Sequence, residues 1–165
     1  YEAIRIVQPG GLGASKEMDV ADPAPDDVLA AMRAAADRDM VARQYAEGFD
    51  QVLSLIAPWI CESCSEHGSL TEAIIHTQLR VLGRFPDSLI ARKVGPELAA
   101  QVSAGALQVL HAGVPGDKDY HRALADFDFW LRSDGNRRNP GTTADLIAAG
   151  LFVALRDEQI RPPLV

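Results

Sequence analysis

The segment from Asn139 to Leu146, Asn-Pro-Gly-Thr-Thr-Ala-Asp-Leu, contains residues that are well suited to hold a phosphate. A Pro-Gly turn precedes two threonines and an apolar run, a pattern that predicts the start of a helix. We expect Thr142 or Thr143 to cap this helix and Asp145 to lie in its first turn, where the helix dipole favours a carboxylate. Backbone N–H groups, two hydroxyls and an acid would suit a phosphate, bound directly or through a metal ion. An ordinary capped helix without a ligand has the same sequence features.

A second group of polar residues lies in the segment from Phe85 to Gly95. Asp87 follows a proline and is placed to begin a short helix, and Arg92 and Lys93 come one turn later. Arg92 is a candidate phosphate ligand because a guanidinium group can form two parallel hydrogen bonds to a phosphate. The same residues would also suit an ordinary helix start with a solvated basic face.

Both segments resemble motifs of the triphosphoribosyl-dephospho-CoA synthase family. The last segment is similar to the family signature Ser-Pro-Gly-Gly-Ser-Ala-Asp-Leu-Leu, with Asn139, Thr142 and Thr143 replacing a serine, a glycine and a serine. Pro140, Gly141 and residues 144–146 agree with it.

The second segment is similar to the family's Gly-Asp-Thr-Asn block, which ends in Arg-Gly-Gly. Asp87 and Arg92 are retained, whereas Ser88 replaces the threonine, Leu89 the asparagine and Lys93 a glycine. The Phe-Asp pair at residues 127–128 also matches a family helix that precedes the signature. The resemblance covers the last half of the chain well and the first half loosely.

The resemblance implies a helical enzyme that transfers the triphosphoribosyl part of ATP onto dephospho-CoA and releases adenine. It implies ATP as a substrate and Mg²⁺ as a candidate metal ion. Asp87 and Asp145 are then the candidate catalytic residues and metal ligands. The candidate nucleotide ligands are Arg92, Lys93, Asn139, Gly141, Thr142 and Thr143.

Several family motifs have no counterpart in the first half of the chain. Arg-Gly-Glu-Ala is absent near residues 11–17, and the Pro-Gly-Leu-Val and Gly-x-His-x-Asp motifs are missing. We therefore interpret residues 1–165 as one helical domain from the C-terminal part of a longer protein, with residues 1–25 and 157–165 loosely ordered. We expect the isolated chain to be inactive without the missing half or a partner chain. Two alternatives are a divergent relative that serves another biosynthetic pathway and a non-catalytic helical module that binds a partner.

The charge and composition of the chain exclude some classes of protein. The 165 residues include 23 acidic and 16 basic side chains, which gives a net charge of −7. This charge argues against a protein that coats nucleic acid. Hydrophobic residues make up 47% of the chain, but no apolar run approaches the roughly 20 residues of a membrane-spanning helix. We therefore expect a cytoplasmic protein that binds neither nucleic acid nor membrane.

Helical spacing of apolar residues predicts an all-α fold, a single bundle of about six or seven helices. A long helix is expected from Asp26 or Asp27 towards Gly48. Asp39 and Arg43 are spaced to pair on its surface, and the alternative is that they line the cleft. We predict one core that contains Leu29, Ile56, Ile75, Val102, Phe127 and Leu151. Exposure of apolar residues where a missing half would dock makes homo-oligomers a further expectation.

Cys61 and Cys64 form a Cys-x-x-Cys pair within a predicted helix. A zinc site would need two more ligands, for which His67 and His76 are the nearest candidates. The favoured interpretation is two free thiols in a reducing compartment.

Overall fold

The computed structural model describes residues 2–7 and 18–161, and nine α-helices make up most of this part of the chain. No strand occurs in these ranges, so the all-α prediction is confirmed for them. The helices are α1 Glu2–Val7, α2 Val28–Ala35, α3 Met40–Ala46, α4 Ala57–His67, α5 Leu70–Arg84, α6 Ser88–Val94, α7 Pro96–His111, α8 Lys118–Arg132 and α9 Gly141–Arg156.

The prediction of six or seven helices was too low, chiefly because one long predicted helix is two. Residues 36–39 form a turn between α2 and α3, and the Asp39 side chain accepts hydrogen bonds from the N–H groups of Val41 and Ala42. These bonds satisfy two of the unpaired N–H groups at a helix start, so a new helix begins there. The seven-residue α6 is a further short element.

A π-helical segment, Val52–Ile56, leads directly into α4. Pro58 follows at the second position of α4 and has no N–H with which to continue the α-helical hydrogen bonding. The N–H of Ala57 donates to the carbonyl of Val52, five residues earlier. The helix therefore widens at the turn where a normal α-helical hydrogen bond is lost.

Two clusters of buried side chains form the core, and α5 contributes to both. The first cluster, between α5, α6, α7 and α8, includes Leu82, Ile90, Val102 and Phe127. The second, between the π-helical segment, α4, α5 and α9, includes Ile56, Ile60, Val81 and Leu146.

The predicted single core was wrong because two different faces of α5 pack on different helices. Val102 and Phe127 belong to the first cluster, with Ile75 beside it, whereas Ile56 belongs to the second with Leu151 beside it. Leu29 on α2 remains 38% exposed.

None of the helices in the described ranges is long and apolar enough to cross a membrane. Two segments were predicted to be loosely ordered, and both lie partly outside the described residues. The structure does not describe residues 8–17 or 162–165. The first of these ranges includes most of residues 11–17, near which the Arg-Gly-Glu-Ala motif is absent.

Gly150 allows α9 to approach the second cluster closely. A Cβ atom at this position would lie 2.8 Å from Ile56 Cγ2 and 3.0 Å from Ile60 Cδ1, and both isoleucines are fully buried. From this contact α9 extends to α3 and α6, which also pack against it.

We predict that Gly150→Ala lowers the free energy of unfolding by about 1 kcal/mol, because strain in a close-packed core exceeds the gain in helix propensity. Gly83→Ala is the matched control, since its Cβ would lie 2.9 Å from Leu107 Cδ2 and 3.1 Å from Cγ, in a side chain that is 39% exposed and can turn aside. The control should stabilise the protein by about 0.5 kcal/mol. Urea denaturation of both variants measures the difference. Equal effects at the two positions would contradict the packing argument.

Candidate functional site

The first turns of three helices meet at one place, which we call the N-terminal junction. It comprises the starts of α3, α6 and α9, and α9 contacts both of the other helices. Its defining residues are Asp39, Asp87, Ser88, Thr142 and Thr143.

Asp87 is fully buried in the junction and caps two helices at once. Its Oδ1 accepts hydrogen bonds from the N–H groups of Leu89 and Ile90, at 2.9 and 3.1 Å, within its own helix α6. Its Oδ2 accepts from the N–H and from the hydroxyl of Thr143, both at 2.8 Å, at the start of α9. The carboxylate thus receives four hydrogen bonds, the arrangement that a buried charge requires.

The cap of α9 therefore differs from the prediction. The residue before α9 is Pro140, and no side chain from its own segment caps the helix. The expectation that Thr142 or Thr143 would be the cap was wrong, because both lie inside the helix that begins at Gly141. The carboxylate of Asp87, which precedes α6, supplies the cap instead. Asp145 was expected in the first turn of α9, but it lies just beyond that turn.

Ser88 connects all three helices of the N-terminal junction. Its hydroxyl accepts a hydrogen bond from the N–H of Met40 in α3, at 3.1 Å, and donates to the hydroxyl of Thr142 in α9, at 3.1 Å. Ser88 and Thr142 are both buried. The hydroxyls of Thr142 and Thr143, expected to receive a phosphate, thus bond to other residues of the protein.

Arg92 and Asp39 form an ion pair at the edge of the junction. Arg92 Nη1 lies 2.9 Å from Asp39 Oδ2 and also donates to Ser88 Oγ, at 3.3 Å. The expected pairing of Asp39 with Arg43 is absent among the ion pairs of the described residues, since Arg43 donates to backbone carbonyls before α3. Asp39 thus belongs to the N-terminal junction although it lies in neither family-like motif, and its position before an apolar helix resembles a capping signal.

Asp145 is the exposed acid of this region. The pKa of its carboxyl group is raised, first because the group lies partly against the protein and then because Asp87 and Asp39 carry negative charge nearby. Asp87 bonds to the N–H of Thr143, which lies two residues before Asp145 in α9, so both acids lie near the start of this helix.

The remaining predicted residues lie around the junction in different settings. Gly141 faces α6 so closely that a Cβ atom would come within 2.7 Å of Leu89 Cδ2. Asn139 is exposed, and its carbonyl accepts a hydrogen bond from the N–H of Gly141. Lys93 is exposed on α6 and donates no hydrogen bond to the N-terminal junction.

The two cysteines are free thiols in the described structure, and neither forms a disulfide. Burial raises the pKa of both thiols above the usual range, which opposes formation of a thiolate. Cys61 Sγ instead contacts Gln159 Oε1 at 3.0 Å. Throughout residues 2–7 and 18–161, no three His, Cys, Asp or Glu side chains are grouped so that they could hold a metal ion.

The family model of CitG, ATP:dephospho-CoA triphosphoribosyl transferase, matches residues 1–163 of the chain. The chain belongs to this family. The match includes the first half, which the motifs had placed in the family only loosely. It gives no support to the view that the chain is merely a C-terminal portion. No curated protein and no solved structure matches the chain.

In this member of the CitG family, the two family-like motifs are in direct contact. Asp87 bonds to Thr143 and Ser88 bonds to Thr142, although the paired residues lie 56 and 54 positions apart in the chain. The two threonines that replace glycine and serine of the signature therefore have structural partners in the other motif. The motifs converge on the N-terminal junction rather than forming two separate sites.

We predict that Asp87→Asn in this CitG family chain lowers the free energy of unfolding by about 3 kcal/mol. In asparagine an NH2 group replaces one carboxylate oxygen, and it cannot accept the hydrogen bonds that this oxygen accepts in wild type. The substitution also removes the charge that strengthens the remaining bonds. Asp27→Asn is the control, because Asp27 caps α2 at an exposed site through one bond to Leu29 N–H, at 2.8 Å. Asparagine caps well, so the control should lose less than about 0.5 kcal/mol. Similar losses in chemical denaturation would refute the double-capping role.

Asp145→Asn should make the protein more stable than wild type at neutral pH. The raised pKa means that the folded state binds more protons than the unfolded state between the ordinary aspartate pKa and the raised one. The free energy of unfolding of wild type therefore falls as pH rises through that window, and it stays lower above it. Denaturation at several pH values should show the advantage of the variant shrinking towards the acid end. A variant that is less stable at neutral pH would contradict this electrostatic account.

Proposed function

We propose that this protein transfers the triphosphoribosyl group of ATP to dephospho-CoA and releases adenine, and that the triphosphate binds beside the N-terminal junction. Membership of the CitG family supports the reaction. The position of the site is supported by the contact between the two motifs and by Asp145, an exposed carboxylate beside it whose pKa is raised by partial burial and then by Asp87 and Asp39. A divalent cation bound there would offset the repulsion among these charges.

Asp145 is the proposed protein ligand of Mg²⁺. Mg²⁺ in nucleotide sites usually takes one or two carboxylates and completes its coordination with phosphate oxygens and water. A site of this kind needs no group of three protein ligands, and the described residues contain none. Asp87 was expected to be a metal ligand and catalytic residue, but both of its oxygens already accept two hydrogen bonds. We propose that Asp87 acts indirectly, by fixing the start of α9 and hence Asp145.

Cations and polar groups around the junction are the proposed phosphate ligands. Arg92 lies at its edge, and a guanidinium group can bind two phosphate oxygens. Lys93 and Asn139 are exposed and add a charge and an amide for a flexible triphosphate. Gly141 and the two threonines are proposed to act by packing α9 against α6, since their contacts are within the protein.

The proposed reaction replaces one bond at the anomeric carbon of ribose by another. The N-glycosidic bond breaks and adenine leaves with its electron pair, while an acceptor hydroxyl of dephospho-CoA forms the new C–O bond. The acceptor hydroxyl loses its proton as the C–O bond forms, and adenine takes up a proton as it leaves, so that neutral adenine is released.

A second candidate is a family member that uses another acceptor in a different pathway. Leu89 supports it, because the family pattern has asparagine at this position and Leu89 lies against the start of α9. A change from an amide to an apolar side chain beside the proposed site would alter the polar contacts offered to a substrate.

We predict that Asp145→Asn weakens binding of Mg·ATP about tenfold, because it removes the charge of the proposed metal ligand while leaving the buried bonds of the junction intact. Asp126→Asn is the matched control, since Asp126 is also an exposed helical aspartate, on α8. Calorimetry with Mg·ATP measures the affinities. Unchanged affinity in Asp145→Asn, or an equal loss in the control, would contradict the proposed site.

Adenine release from ATP, followed by chromatography with and without dephospho-CoA, tests the reaction itself. Release that requires dephospho-CoA supports the proposed function and overturns the expectation that the isolated chain is inactive. Release with another acceptor supports the divergent relative. Binding of Mg·ATP without release agrees with a chain that supplies only the phosphate site. If the chain neither binds Mg·ATP nor releases adenine, the proposed function is refuted for this chain.

A further inference from the structure

Asp39 uses its two carboxylate oxygens for two separate tasks. Oδ1 accepts hydrogen bonds from the N–H groups of Val41 and Ala42, at 2.8 and 3.2 Å, and so caps α3. Oδ2 lies 2.9 Å from Arg92 Nη1. We propose that Asp39 is a positioning residue that holds the Arg92 guanidinium in place for the triphosphate of ATP. This inference rests on the proposed function.

The cap alone does not require an acid. Asparagine and serine cap helices about as well as aspartate, because one side-chain oxygen is enough. Asp27 shows the simpler case, since it caps α2 through one oxygen and forms no ion pair among the described residues. The negative charge and second oxygen of Asp39 are therefore needed for Arg92 and not for α3.

Three acceptors, one from α6 and two from the turn before α3, hold Nη1 of Arg92. Nη1 contacts Asp39 Oδ2, Ser88 Oγ and the carbonyl of Arg38. The side chains of Arg92 and Asp39 are 19% and 27% exposed, so solvent screens their attraction less than at a fully exposed pair. An arginine fixed in this way loses little conformational freedom when it binds a phosphate, which increases affinity.

The same arrangement explains how α3 belongs to the site although no motif lies in it. The Arg92–Asp39 pair and the bond from Met40 N–H to Ser88 Oγ both join α3 to α6. Asp39 also contributes negative charge near Asp145. A Mg·triphosphate beside the N-terminal junction would then interact with one fixed cation and with carboxylates from two elements.

The test is a double-mutant cycle on the affinity for Mg·ATP. Asp39→Asn keeps an oxygen for the cap and removes the charge, and Arg92→Gln removes the guanidinium. We expect each variant to bind Mg·ATP about tenfold more weakly and the double variant to be no weaker than either. AMP, which lacks the two outer phosphates, should bind all variants equally. Asp27→Asn, the matched cap control, should bind as wild type does.

The outcomes separate this inference from the proposed function. If wild type binds Mg·ATP and Asp39→Asn binds it equally well, the positioning role is refuted and the phosphate site stands. If the double variant loses Mg·ATP affinity by the product of the two single losses, Asp39 does not act through Arg92. If Asp39→Asn weakens binding of AMP as much as binding of Mg·ATP, the role of Asp39 is purely structural. If wild type binds no Mg·ATP, both proposals are overturned. Circular dichroism confirms that every variant is folded at the assay temperature.

Discussion

The buried carboxylate of Asp87 is the interaction on which the rest of the site depends. A charge taken out of water is tolerated only when hydrogen bonds replace its hydration. Four donors do so here, two from α6 and two from α9. Each helix start also places the positive end of its dipole towards the carboxylate. The requirement to satisfy this one group fixes the relative position of the two helices.

The remaining contacts extend this constraint outwards to the surface. Ser88 adds a bond to α9 and accepts one from α3, and Arg92 adds the ion pair with Asp39. Close approach at Gly141 and Gly150 keeps α9 against its neighbours along much of its length. Asp145 is carried on this rigid helix, so an exposed acid has a well-defined place. The buried residues thus organise the site, and the exposed residues are those able to meet a substrate.

Much of this arrangement could be predicted from the sequence, and the exceptions share one cause. Helical periodicity indicated the all-α fold, and two motifs indicated that Asp87, Arg92 and Asp145 belong together. The double cap at Asp87 could not be predicted, because local rules look for the cap of a helix in the residues just before it. Thr143 satisfies those rules at its own helix start and yet donates to an acid 56 residues away. The pairing of Asp39 with Arg92 was not predicted for the same reason, since the two residues lie in different parts of the chain.

The separation of Asp87 and Thr143 along the chain also has a consequence for folding kinetics. Their hydrogen bonds close a loop that contains all of α7 and α8, and closing a long loop costs conformational entropy before any contact repays it. The seven-residue helix α6 is too short to be stable in isolation. We therefore expect its double-capped start to form late, after the longer helices have packed. In the folded protein the Thr143 amide is fully buried and bonded to Asp87, so it should exchange its hydrogen with solvent slowly.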